Sequence, residues 1–196
     1  MLNSIKKMVL AVALAPVAGM SANAQVVGVK TNLLYDATTT VNLGLEFGLA
    51  PKWSFDLSGN IKTWNLDEQV WKHWMVQPEA RYWFCDAFAG HFIGFHALTG
   101  QFNWGNFKHA SDFLGTRFSV LKDYRAQGWA VGAGVVYGYT WVLGKHWNLE
   151  AEIGIGWIHT WHDVYECKEC ARKIASDREH NYYGPTKAAL NLVYVF

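Results

Sequence analysis

The sequence contains little charge and few cysteines. Asp, Glu, Lys and Arg make up 17% of its 196 residues, against roughly 25% in an ordinary soluble domain. Basic and acidic residues nearly cancel, 17 against 16. No cationic surplus exists to hold a phosphate backbone, so nucleic acid is not expected as a partner. Three cysteines are too few for a disulfide scaffold. No G-x-S-x-G nucleophile elbow occurs anywhere in the chain. Apolar and aromatic residues are abundant instead: hydrophobic types reach 51% and aromatics 16%, with 11 Trp, 9 Tyr and 11 Phe. Such a composition excludes a disordered chain, and the length suits one domain.

The first 24 residues read as an export signal. Lys6 and Lys7 form a positive start, an apolar stretch from Met8 to Met20 follows, and Ala22-Asn23-Ala24 fits the small-x-small cleavage pattern. Cleavage is expected between Ala24 and Gln25, which divides the chain into a signal peptide (1–24) and a mature domain (25–196). The apolar stretch is short for a membrane anchor, since a spanning helix needs about 20 apolar residues. No cysteine follows the cleavage site, so a lipid-anchored N-terminus is not expected. The mature chain keeps 15 basic residues against 16 acidic ones and is destined for an oxidising compartment.

The mature chain alternates. Val41, Leu43, Leu45, Phe47 and Leu49 are apolar, and Asn42, Gly44, Glu46 and Gly48 lie between them. After the turn signal Ala50-Pro51-Lys52, Trp53, Phe55, Leu57, Gly59 and Ile61 oppose Ser54, Asp56, Ser58, Asn60 and Lys62. Period two with a short intervening turn predicts a β-hairpin. The same pattern covers 27–33, 76–84, 129–141, 147–157 and 187–196 and, less clearly, 92–104. About eight strands result, most of them near or above the 9–11 residues that a tilted strand needs to cross a bilayer. Residues 128–144 carry no charge and contain Gly134-x-x-x-Gly138, the signature of a packed membrane helix. However, Gly132, Gly134 and Gly138 share one parity, which favours a strand.

Parity alone does not name the solvent. A secreted lipocalin-like barrel would turn its apolar face inward around a ligand. Here the polar parity is rich in Gly and Ser, which make a poor soluble exterior but suit a narrow lumen. Lys30, Glu46, Asp56, Glu79, Arg81, Glu150 and Glu152 fall on that parity and can neutralise one another in the lumen, joined by Lys187. On a lipid face each charge would cost about 2–4 kcal/mol at mid-depth. Aromatics gather towards the strand ends in two groups. Trp53, Tyr82, Phe84, Tyr139, Trp141, Trp147, Tyr194 and Phe196 lie near short turns, and Tyr35, Trp64, Trp71, Trp74, Trp104, Trp129, Trp157 and Trp161 near longer connections at 65–74, 105–127 and 162–184. Two aromatic girdles and one long-looped rim predict an all-β fold: an eight-stranded antiparallel transmembrane β-barrel of a Gram-negative outer membrane, with short periplasmic turns and longer extracellular loops.

The stretch KTNLLYDATTTVNLGLEFGLAPKWSFDLSGN from Lys30 to Asn60 resembles a domain-of-unknown-function family of small barrels from Bacteroidales-type bacteria. Val76-Gln77-Pro78-Glu79-Ala80-Arg81-Tyr82-Trp83, Gly90-His91-Phe92, His96 and Gly100-Gln101-Phe102-Asn103 extend that resemblance over nearly the whole mature chain. The resemblance implies an OmpA/OmpX-like outer-membrane barrel with no established activity. Some relatives carry a peptidoglycan-binding domain and others accompany fimbrial or surface-adhesin systems. Leu190, Leu192, Tyr194 and Phe196 on one face resemble the terminal strand that barrel-assembly machinery reads.

Candidate chemistry is sparse. Cys167 and Cys170, with His159, His162 and His180 nearby, are a weak match to a metal site. A local disulfide and two plain loop thiols remain open beside it, and Cys85 is expected to be unpaired. A lipid-modifying enzyme of the lipid A acyltransferase or deacylase type would place His and Ser at the outer rim. His159, Thr160 and His162 lie near that height, but no serine stands beside them, and no nucleophile–base–orienter set is identifiable. No cofactor and no catalytic residue is therefore assigned. The expectation is a structural or surface-interacting outer-membrane protein without an open pore. Outer-membrane lipids, the assembly machinery and a surface protein, such as a fimbrial or nutrient-uptake assembly, are its expected partners. A lipid-modifying enzyme and a secreted lipocalin-like binder are the alternatives.

Overall fold

The computed structural model describes residues 26–65, 70–106, 122, 124–166 and 172–196. The expected cleavage site at Ala24 and Gln25, and Cys167 and Cys170, lie outside these residues. Eight strands follow in order: β1 (Val27–Asn32), β2 (Val41–Ala50), β3 (Trp53–Lys62), β4 (Val70–Trp83), β5 (Gly90–Gly105), β6 (Tyr124–Val142), β7 (Trp147–Glu166) and β8 (Lys173–Val195). A five-residue helix, α1 (Leu33–Ala37), joins β1 to β2. Each strand pairs antiparallel with the next, and β1 pairs with β8, so one sheet closes on itself as a barrel. Closure removes the free edges that an open sheet would expose.

The register explains which side chains share the interior, because directly opposed residues on neighbouring strands project to the same face. Glu46 faces Asp56, Asp56 faces Glu79, and Glu79 faces His96. From His96 the same level continues through Gly134 to Gly156. The charged side of β2–β4 therefore meets a glycine-lined side of β6 and β7. These glycines make room. A Cβ on Gly138 would lie 2.3 Å from the Phe92 ring and 2.9 Å from the Ala151 carbonyl oxygen, and one on Gly44 would lie 2.5 Å from the Lys30 side chain.

The outer face is apolar. Leu43, Phe95 and Ile155 are 57%, 60% and 60% exposed. Near the short turns, Trp53, Tyr82, Phe84, His91, Tyr139 and Trp141 form a chain of ring contacts at 4.5–6.4 Å. Trp147, Tyr194 and Phe196 form a second chain at 4.9–5.0 Å. Towards the other rim, Trp74 meets Trp129 edge-on at 5.5 Å, and Trp157, His159 and Trp161 lie in sequence on β7. Among the described residues, the outward positions between these two belts carry no Asp, Glu, Lys or Arg.

Several expectations are corrected. Leu33 belongs to α1 rather than to the first strand, because the Asn32 side chain accepts a hydrogen bond from the Leu34 amide and caps a helical turn. Trp71 and Trp104, expected in the outer belt, oppose each other on the inner face, and the Lys62 ammonium sits over the Trp71 ring at 4.2 Å. Tyr35 lines an internal cavity. The long connections are shorter than expected, since β4 begins at Val70, β6 at Tyr124, and β7 and β8 run to Glu166 and from Lys173. As a result the wall is uneven. The strands lengthen from 6 residues in β1 to 19, 20 and 23 in β6, β7 and β8.

Gly138→Ala is expected to destabilise the folded chain by about 1–3 kcal/mol through overpacking. Gly144→Ala, whose added Cβ meets nothing within 4 Å, serves as the neutral control. Midpoints of urea unfolding measure the difference.

Candidate functional site

Arg81 on β4 is fully buried and occupies the centre of the interior. Its Nε donates to Glu79 at 2.6 Å, Nη1 to Glu46 at 2.9 Å and Glu150 at 2.8 Å, and Nη2 to Glu152 at 2.9 Å. One planar guanidinium thus collects carboxylates from β2, β4 and β7, a task for which its fork of fixed donors is suited and a lysine is not. Lys30 on β1 pairs with Glu46, with Asp56 at 2.8 Å and with Glu150 at 3.4 Å. Lys187 on β8 pairs with Glu79 at 2.6 Å and Glu152 at 3.1 Å. All seven charged residues singled out in the sequence lie in this one cluster, and Lys187 completes it.

Neutral partners fill the remaining positions. Asn191 donates to Glu150 at 2.8 Å, Thr140 to Glu150 at 3.2 Å, and Ser54 to Glu46. Ser54 in turn accepts from the Trp83 indole at 2.8 Å. His96 contacts Thr186 through Nε2 at 3.0 Å. A β-bulge between β7 and β8 falls where Ile155 opposes Pro185 and Gly154 opposes Lys187, beside the Thr186–His96 contact.

Aromatic rings close the cluster at the end of the short turns. Towards the short turns, Trp83 packs on Phe88 at 6.1 Å and on Phe92 at 4.7 Å, and the Arg81 guanidinium lies over Phe92 at 4.5 Å. Phe88 comes from the β4–β5 turn with φ 68°, and the Asn148 side chain donates to its carbonyl at 2.9 Å. No periodic pattern marks a turn residue as core, so Phe88 was not legible in the sequence. Towards the other rim, Lys62 donates to the Thr38 carbonyl at 2.6 Å and holds the end of α1 in place. The space left between Asp56, Asn60, Gln77, Asn191 and Tyr35 amounts to a cavity of about 20 Å3, room for about one water molecule. Among the described residues, the cluster forms an ion-paired plug around this small cavity.

The other candidates do not converge. Thr160 and His162 point inward and touch at 3.3 Å, whereas His159 points outward and contacts Asn181 at 2.8 Å. Cys85 is exposed with a free thiol. No group of three or more His, Cys, Asp or Glu able to hold a metal is present among the described residues. Leu190, Leu192 and Tyr194 alternate on the outer side of β8, and the Phe196 amide donates to the Val27 carbonyl at 2.9 Å.

These features define a class: a closed, eight-stranded antiparallel sheet with an apolar outside and a charged, side-chain-filled inside. The chain belongs to the family described as Protein of unknown function (DUF3575), whose model matches residues 8–196. No curated protein and no solved structure matches it.

Removing Arg81 leaves four carboxylates without their shared cation, so Arg81→Met is expected to cost about 3–5 kcal/mol. Adding Glu150→Gln to Arg81→Met should cost less than the sum of the two single changes. A double-mutant cycle on unfolding midpoints measures that coupling.

Proposed function

We propose that this protein is an integral outer-membrane barrel of a Gram-negative envelope, exported by its N-terminal segment. Its role is structural or surface-interacting, and it has no open pore. The observation that carries this reading is the inversion of polarity across the sheet. Charged residues fill the interior, and the exposed outer band between two aromatic belts is free of charge among the described residues. In water such a contiguous apolar band would be a liability. In a bilayer it is the required surface, and Trp and Tyr rings at each end suit the two interfaces.

The plugged interior supports a role carried by the outside and the rim. Eight strands enclose only enough space for side chains, and here those side chains are locked by Arg81, Lys30 and Lys187. The tall wall of β6–β8 rises on the side of the long connections, which gives the chain a surface on which a partner can dock. We assign a fimbrial or nutrient-uptake assembly as that partner, the former because the family resemblance points to fimbrial and surface-adhesin systems. The outward face of Leu190, Leu192, Tyr194 and Phe196 is the surface we assign to the assembly machinery.

Fractionation of cells expressing the full chain tests the reading. Retention in the membrane after alkaline carbonate washing is expected, and recovery in a soluble fraction would overturn it. Ile155→Lys should lower the stability of the vesicle-inserted protein by about 2–4 kcal/mol, whereas Gln101→Lys, at the belt, should cost about 0–1 kcal/mol. In planar bilayers the protein is expected to show no sustained single-channel conductance.

A further inference from the structure

A concave patch of about 400 Å3 lies on the outside of the wall, across β3–β7, directly beyond the belt. Ile61, Trp74, Gln101 and Trp129 oppose one another at one level of the outer face, and Lys72, Asn103, Gln127 and Asp163 form the next level towards the rim. The patch therefore grades from apolar rings to amides and charge over a single step of the strands. Trp74 and Trp129 meet at 88°, and the Trp74 indole donates to Gln101 at 3.0 Å, so the platform is fixed before anything binds.

The polar level is underused. Asn103 Oδ1 is shielded from solvent without a hydrogen-bond partner. Asp163 is matched by Lys173 at 2.8 Å, whereas Lys72 has no carboxylate partner among the described residues. The side chains of Gln101, Asn103 and Gln127 each offer both a donor and an acceptor, the pairing that hydroxyl groups need. Lys72 supplies charge for a phosphate, and the Trp rings supply an apolar face for a sugar ring.

We propose that this patch binds the phosphorylated sugar headgroup of a glycolipid, with the acyl chains lying along the apolar band below. The inference rests on the membrane reading above, because only there does the patch stand at headgroup height. A lipid-borne ligand is favoured over a soluble one because the patch opens without a break onto Ile61, Trp74 and Trp129 and the uncharged band beyond them.

The test uses the full chain inserted into phosphatidylcholine vesicles. A phosphorylated, acylated glucosamine disaccharide is titrated in, and complexes are counted by native mass spectrometry after detergent release. Selective retention over phosphatidylglycerol is expected. Lys72→Gln should weaken it about tenfold, the loss of one charge-assisted contact, and removing the phosphates from the glycolipid should weaken it similarly. Trp129→Leu should weaken both the phosphorylated and the dephosphorylated forms. Protease resistance of the inserted barrel confirms that each variant is folded. Equal retention by Lys72→Gln, equal retention of phosphatidylglycerol, or equally tight binding of the water-soluble disaccharide phosphate would each overturn the inference. Insertion without selective retention removes only this inference, whereas failure of the wild-type chain to insert removes the membrane reading and this inference with it.

Discussion

Burying a cluster of eight charged side chains inside a narrow sheet is costly unless every one of them has a partner, and the geometry of the sheet has to supply those partners. Arg81 reaches carboxylates on three strands, and Lys30 and Lys187 reach from β1 and β8 to strands that are not their hydrogen-bonded neighbours. Apart from Arg81–Glu79, which lie on one strand, none of these contacts exists in an isolated hairpin. The cluster and the closure of the ring therefore imply each other, because an unpaired charge left inside would cost several kcal/mol. Several glycines answer to the same crowding: a Cβ on Gly44 would meet Lys30, one on Gly94 would meet Val136 and Glu79, and one on Gly154 would meet Val136, Lys187 and His96.

Much of this was legible in the sequence. Alternation located the strands, and the parity of Lys30, Glu46, Asp56, Glu79, Arg81, Glu150 and Glu152 placed them on one face before any pairing was known. Trp71 and Trp104 show where the reading stopped short. Parity carried back from Arg81 along β4 puts Trp71 inside, and parity carried forward from His96 along β5 puts Trp104 inside. Residue type and nearness to a loop point to the outer belt instead, but an aromatic ring does not report which way it points.

The extra length of β7 and β8 was hidden for a different physical reason. Alternation needs a contrast between the two sides of a sheet. From His162 to Glu166 and from Lys173 to His180, polar residues fall on both faces. The hydrogen bonds of the ladder persist there while the pattern that advertises them fades. Phe88 was illegible for the opposite reason: it is a core residue supplied by a turn, where no period exists to reveal it.

The uneven strand lengths have a mechanical corollary. β8 is 23 residues long, yet only the five from Asn191 to Val195 meet β1, and β1 pairs with β2 over only four, so the two joints of the first strand are the shortest runs of backbone pairing in the ring. Lys30 projects from β1 between them and crosses the interior to Glu150 on β7, and Asn191 on β8 grips the same carboxylate. The two shortest joints in the backbone are thus the ones cross-braced from within, since Lys30 also pairs with Glu46 on β2. The latch that completes the cylinder is electrostatic, and it engages only when the final strand arrives.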